Sequence, residues 1–315
     1  MKKKLFLFLY LFSKCRCLCL HKQLLLFLCL FSFQFPVFGQ ITGIEKEVFL
    51  RLQERLAPLH QPVKRQENDW LSQVSTDPKQ PFEVFCAENP VKIDASKSVI
   101  YIQPIGKFNK HQKKILKELD KYLSIFFGMK VVSFKEISDD FIPAKDRRKM
   151  VSEQLRTTYL LYEYLLPKIP KDAAAFIAFT EKDLYPQDSW AYVFGQASLS
   201  HKIGVWSMYR FGNPKTSQKV YNNCQLLTFK TATHEIGHIF GIQHCQMFHC
   251  NMNGSMNLDN LALRPTYFCP DCQSKISWRL SLQMRPQFEK LERYWRKIDN
   301  PTEEEFYKSQ KEKTY

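Results

Sequence analysis

The run His234-Glu235-Ile236-Gly237-His238-Ile239-Phe240-Gly241-Ile242-Gln243-His244 constrains this 315-residue chain more than any other feature. Apolar period and length predict a helix over residues 226–242. On such a helix the four-residue spacing sets the imidazoles of His234 and His238 one turn apart on one face, where both reach a single cation. Gly241 is free to take the left-handed conformation that ends a helix, so the returning chain brings His244 in as a third nitrogen. Three neutral imidazoles leave the fourth position of a tetrahedral zinc open, which distinguishes a catalytic site from a closed structural one. Glu235 follows a ligand position but is expected to face the open position rather than the metal, as the general base for water attacking a carbonyl carbon. The reaction class this serves is amide hydrolysis. Helix-packing histidines, or a zinc kept for stability alone, are the blander readings; the added Gly and His at fixed offsets weigh against the first and the carboxylate against the second.

Four cysteines follow immediately: Cys245, Cys250, Cys269 and Cys272, the last two in a Cys-Pro-Asp-Cys knuckle. That spacing suits a closed tetrathiolate zinc site, which would pin the loop after the helix and fix His244. Ordinary buried thiols or disulfides are the alternative, favoured if the chain is exported. Cys86 and Cys224 stand alone, while Cys15, Cys17, Cys19 and Cys29 belong to the N-terminal leader. Met252 and Met256 are both placed to pack beneath the metal, although a core methionine reads the same way. His249 lacks the helical register and is not expected to be a ligand.

Net charge is +15, with six of the cations in the first 39 residues, which hold no acid. The remainder, with 40 basic against 31 acidic residues, is still basic. Nucleic acid is nonetheless a disfavoured partner, because no RNP-like aromatic pattern accompanies the charge. The leader pairs Lys2–Lys4 with two apolar runs, 5–12 and 24–38, and reads as a signal peptide cleaved after Gly39, an uncleaved anchor, or translated upstream sequence. Membrane contact is confined to residues 1–39 on these readings. Location is exported or membrane-anchored if the leader is real, and cytoplasmic otherwise.

Downstream, Ile44, Val48, Leu52 and Leu56 repeat every fourth residue and predict an amphipathic helix over 41–58. Residues 60–97 read as a long surface connection pinned by Trp70, Phe82 and Phe85. From Ser98 short apolar runs alternate with helical periods: strand 99–103, helix 110–127, strand 130–134, helix 148–166, strand 174–179, then strands 190–199 and 203–209 joined by a turn at 200–202. The order predicts an α/β fold with a mixed, mostly parallel sheet and crossover helices. An amphipathic helix carrying Phe288, Leu291, Tyr294, Trp295 and Ile298 closes the chain, followed by a polar tail over 301–315. The organisation expected is a leader (1–39), a helix and surface connection (40–97), a catalytic domain (98–276), and a C-terminal helix with tail (277–315).

The sequence HEIGHIFGIQHC, followed by CNM and CPDC, resembles the archaemetzincins (archaelysins), a metzincin-like family of zinc peptidases. The resemblance extends through DLYPQDSWAYVFGQASL at 183–199 and more loosely from about Asp69 to Lys275. It implies two Zn2+ per chain, a catalytic one on His234, His238 and His244 with Glu235 as base, and a structural one on Cys245, Cys250, Cys269 and Cys272. It further implies a metzincin-like active-site helix, a C-terminal zinc-bound loop subdomain, Met252 as the methionine of the family turn, and a peptide or protein substrate pairing with the edge of strand 190–199. Two other classes stand beside this one: a catalytically weak or inactive two-zinc interaction protein, and a nucleic-acid binder using the cysteines as a zinc ribbon. Nothing in the sequence sets an oligomeric state, a substrate preference, or a choice between endo- and aminopeptidase action.

Overall fold

Thr42 opens the first helix, α1 (Gly43–Leu56), with a reciprocal cap: its side chain accepts from the Glu45 N–H at 3.1 Å while the Glu45 carboxylate accepts from the Thr42 N–H at 3.1 Å. The computed structural model describes residues 41–64, 70–73, 80–89, 92–93 and 95–315; the leader lies outside the described residues. Among the described residues no helix is long and apolar enough to cross a membrane. The connection after α1 holds two short helices, α2 (Trp70–Gln73) and α3 (Phe82–Glu88), and buries the expected pins Trp70, Phe82 and Phe85.

His60, between α1 and α2, is buried edge-on against Phe248, Tyr267 and Phe306, with Nε2 3.2 Å from Gln310 Oε1. Burial pushes its pKa down to about 4, against the opposing pull of Gln310. The unfolded chain, with an ordinary histidine near 6.5, therefore binds more protons between those values. His60 contributes stability at neutral pH that is lost as pH falls from 6.5 toward 4, about 1.4 kcal/mol of it by pH 5.5. Urea midpoints at pH 7.5 and 5.5 should diverge more for the wild type than for His60→Gln; equal pH slopes would mean that folding leaves the His60 pKa where it stands in the unfolded chain.

The sheet begins with β1 (Val99–Ile105), crosses through α4 (Lys110–Phe127), and returns as β2 (Lys130–Ser133), parallel to β1. Strong local signals set α4: Asn109 caps it with Gln112 in reciprocal contact, and Gly128, at φ 61°, ends it in the left-handed region. Next come β3 (Arg147–Lys149), β4 (Glu153–Arg156) and α5 (Thr157–Tyr159), the last running on as a π-turn (Leu160–Leu165) and a 3-10 turn (Leu166–Lys168). The helix expected over 148–166 is thus half wrong. Arg148 donates to Gln154 Oε1 at 2.6 Å and to the Trp190 carbonyl at 2.6 Å, and its guanidinium lies 4.0 Å above the Tyr185 ring. Those bonds to distant chain, together with parallel pairing of β4 to β6 (Asp183–Tyr185), override local helical preference.

The main sheet adds β5 (Ala173–Thr180), β7 (Gly195–Ser198) and β8 (Ile203–Ser207) in the order β2-β1-β5-β8-β7, parallel except for β7 against β8. β7 is an edge strand and shorter than the 190–199 expected. Alternation along the strands feeds two cores. Ile100, Ile177, Phe179 and Trp206 face one, with α4 and α6 (Gln218–Ile239); Phe176, Ala178, Ile203 and Val205 face the other, with Leu160, Leu161 and Leu165. Tyr122 of α4 stacks on Phe229 of α6 with ring centroids 4.6 Å apart, so the helix bearing the histidine motif is clamped between sheet and α4. The chain then runs through α7 (Leu258–Leu263), α8 (Pro270–Arg279), α9 (Met284–Lys297) and α10 (Pro301–Glu312). The polar tail expected after Pro301 is a packed helix. Asn300 caps it, Phe306 stacks 3.6 Å from Tyr267, and Lys311 pairs with Glu292 at 2.6 Å.

Candidate metal centres and active-site cavity

Helix α6 starts eight residues before the expected position, where the Ser217 side chain accepts from Val220 N–H at 3.2 Å. Its far end is a Schellman turn: Gly241, at φ 97°, donates to the His238 carbonyl at 2.8 Å, and Ile242 donates to the Gly237 carbonyl at 3.0 Å. A Cβ at position 241 would lie 2.4 Å from Asn89 Oδ1, so glycine is needed there for space as well as for conformation. The turn brings His244 back against the helix. One ring nitrogen from each of His234, His238 and His244 then falls within 4.8 Å of the others.

Both helical imidazoles are held by backbone carbonyls. His234 Nδ1 donates to Asn251 O at 2.6 Å and His238 Nδ1 to Ile242 O at 2.6 Å, the second acceptor being supplied by the turn itself. Their Nε2 atoms meet at 3.0 Å. With both Nδ1 atoms protonated, two lone pairs face each other there, an arrangement that a cation relieves. Burial lowers the pKa of His238 to about 3 and that of His234 well below the usual range, which keeps both neutral, as metal ligands must be. The donor set therefore fits a borderline cation such as zinc. Gly237 faces Met252, whose Sδ would lie 2.6 Å from an added Cβ, so this methionine packs directly beneath the histidine turn. Met256 instead sits in a cavity wall, 46% exposed, and His249 belongs to neither cluster.

The four thiols Cys245, Cys250, Cys269 and Cys272 are all buried with their sulfurs within 4.8 Å of one another. Cys245 and Cys269 Sγ are 3.6 Å apart. A disulfide would require about 2.05 Å, whereas four sulfurs about 2.3 Å from one zinc lie about 3.8 Å apart. Cys250 Sγ accepts N–H from Met252 at 3.4 Å and from Cys269 at 3.2 Å, bonds that favour a thiolate. The loop between the clusters is latched by Asn253, which donates to the carbonyls of Cys245 (2.8 Å) and Phe248 (3.0 Å).

A cavity of about 410 Å3 opens beside the histidines, walled by Trp190, Phe194 and Gly195 on the β7 side and by Met256 and Arg264 opposite. A second, of about 450 Å3, lies across His238 and His244 and is closed by Gln80, Glu88 and Asn89. Larger hollows of about 520 and 610 Å3 between α4 and α9 hold neither cluster. Glu235 lines the first cavity. Burial raises its pKa to about 7, against the opposing charge of Arg264 and the indole N–H of Trp206. Arg264 and Thr231 are cavity residues that sequence reasoning missed, since neither carries a spacing signal.

Residues 168–278 match the model of the family described as Peptidase family M54. Fold, histidine cluster and this match together define a zinc metallopeptidase. Over 268 residues the chain is 32% identical to archaemetzincin-2 of Rattus norvegicus, covering 74% of each protein, and over 272 residues it is 31% identical to archaemetzincin-2 of Homo sapiens, covering 75% of this chain and 73% of that one. The chain belongs to the archaemetzincin family. Among solved structures, an archaemetzincin from Archaeoglobus fulgidus complexed with malonate is 27% identical and aligns with 56% of this chain and 99% of that one, at a TM-score of 0.44.

Proposed function

We propose that this chain hydrolyses peptide bonds at the cavity beside α6, with Glu235 as general base and His234, His238 and His244 as the ligands of the catalytic zinc. Cys245, Cys250, Cys269 and Cys272 hold a second, structural zinc in this reading. The observation that carries it is the convergence of one ring nitrogen each from His234, His238 and His244, with His234 and His244 lining the same cavity as Glu235. Zinc bound there supplies a Lewis acid for a carbonyl oxygen and makes water more acidic. Glu235 takes the proton of the attacking water and delivers it to the leaving amine; its partly desolvated carboxyl is suited to both transfers. The open edge of β7, at the rim of the cavity, offers backbone groups to an extended peptide.

The test is digestion of a mixed peptide library by the zinc-loaded protein, beside a sample stripped with a chelator and one reloaded with zinc. Cleavage that vanishes on stripping and returns with zinc is expected. Cleavage that persists without metal would assign the activity to another group or a contaminant, and an intact library with zinc bound would remove the case for a general peptidase.

A further inference from the structure

Arg264 is only 8% exposed, yet among the described residues it pairs with no carboxylate. Its Nη1 donates to the carbonyls of Asn253 at 2.9 Å and Asn251 at 3.3 Å, and lies 2.6 Å from the His234 ring. These bonds tie the guanidinium to the loop above Met252 and engage one of its three nitrogens. Nε is buried without an acceptor. Thr231, one turn before His234 on α6 and 3% exposed, has a hydroxyl that is likewise buried without a partner. Both residues line the 410 Å3 cavity, together with Glu235 and the apolar Met256 and Leu261. Glu235 is near enough to feel the Arg264 charge but does not pair with it.

A buried, unpaired guanidinium is costly, and loop carbonyls satisfy its hydrogen bonds without neutralising its charge. A cation on the adjacent histidines would deepen that imbalance. What Arg264 lacks is an anion in hydrogen-bond contact with acceptors in a plane, the property of a carboxylate, which the fork of an arginine matches. We propose that Arg264, assisted by the Thr231 hydroxyl, is a specificity-determining residue that recognises a carboxylate on the peptide residue entering this cavity. The peptidase would then favour substrates with an acidic side chain, or a free C-terminus, immediately beside the cut. This inference rests on the catalytic reading above and names the substrate class of that same site.

The experiment compares C-terminally amidated peptides carrying Glu or Gln at each position flanking the cut, and neutral peptides with free or amidated C-termini placed one residue beyond it. Wild type, Arg264→Gln and Arg264→Lys are assayed, with zinc content and melting temperature recorded for each. A preference for one carboxylate-bearing series on the order of 100-fold in kcat/KM is expected, falling below about tenfold in Arg264→Gln and partly restored in Arg264→Lys. The series that carries the preference tells a side-chain carboxylate from a terminal one. In parallel, binding of the Glu and Gln peptides, labelled with a fluorophore, is measured on the zinc-loaded Glu235→Gln protein with Arg264 and with Arg264→Gln. This arm survives a failure of the catalytic assignment. Equal handling of carboxylate and amide peptides by the wild type, or a preference that Arg264→Gln leaves intact, overturns the proposal.

Discussion

Glu235→Gln is expected to reduce kcat/KM on any peptide the wild type cleaves by a factor on the order of 10² to 10⁴, the range for loss of a positioned general base. Zinc content should not change, because the Glu235 carboxylate is absent from the histidine cluster and the ring nitrogens converge without it. Nor should the fold suffer. The amide has nearly the volume of the carboxylate, and removing a partly desolvated charge costs the folded state little. The discriminating measurement pairs single-turnover cleavage with metal analysis of the same sample. A variant that keeps full zinc and cuts within tenfold of the wild type would move the base elsewhere, whereas a variant that has lost zinc would make Glu235 part of the metal's support.

Cys250→Ser should have the largest structural effect of any single change in the site. Cys250 is fully buried, its sulfur accepts two backbone N–H groups, and its own N–H is held by Asn253 Oδ1 at 2.8 Å. Structural zinc in small domains is worth about 10 kcal/mol or more; within a large core we expect at least ~3 kcal/mol of destabilisation and the loss of one zinc per chain. Activity should fall with it, although no group in contact with substrate is altered. Asn251, whose carbonyl accepts from His234, and Met252, which packs under Gly237, are the two residues that follow the lost sulfur in sequence. Zinc stoichiometry and a thermal melt decide the matter: an unchanged metal count with a melting temperature within 2 °C or so of wild type would make these four thiols ordinary core residues.

Where a local signal was strong, sequence and structure agree. Helix α4 is bracketed by the Asn109 cap and Gly128, and its predicted span is the observed one. The histidine and cysteine clusters were legible because their geometry is a matter of spacing: four residues on a helix fix two imidazoles, and a glycine turn fixes the third. The helical expectation fails over 148–156 because what holds that stretch, the reach of Arg148 to Trp190 and the pairing of β4 with β6, joins chain segments far apart in sequence. Helix α10 has only Phe306 and Tyr307 as large apolar contacts, too few to stand out from a polar tail. Arg264 was illegible for the same reason as Arg148. Its place in the cavity wall depends on the course of the chain after Met252, and nothing within a few residues of it announces a site.

His244 and Cys245 are adjacent residues that serve different clusters, so the polypeptide has no slack between them. One inserted residue at that junction would rotate one donor away from its partners, whichever side absorbed the change. The stretch from Ser255 to Leu263 is bound by no such rule: apart from the buried Leu261 it runs along the surface through α7, where Leu263 is 81% exposed. Gains and losses of chain length among related proteins should therefore gather in that surface stretch and be missing from the His-Cys step, a pattern an alignment of family members can test without any experiment on the protein itself.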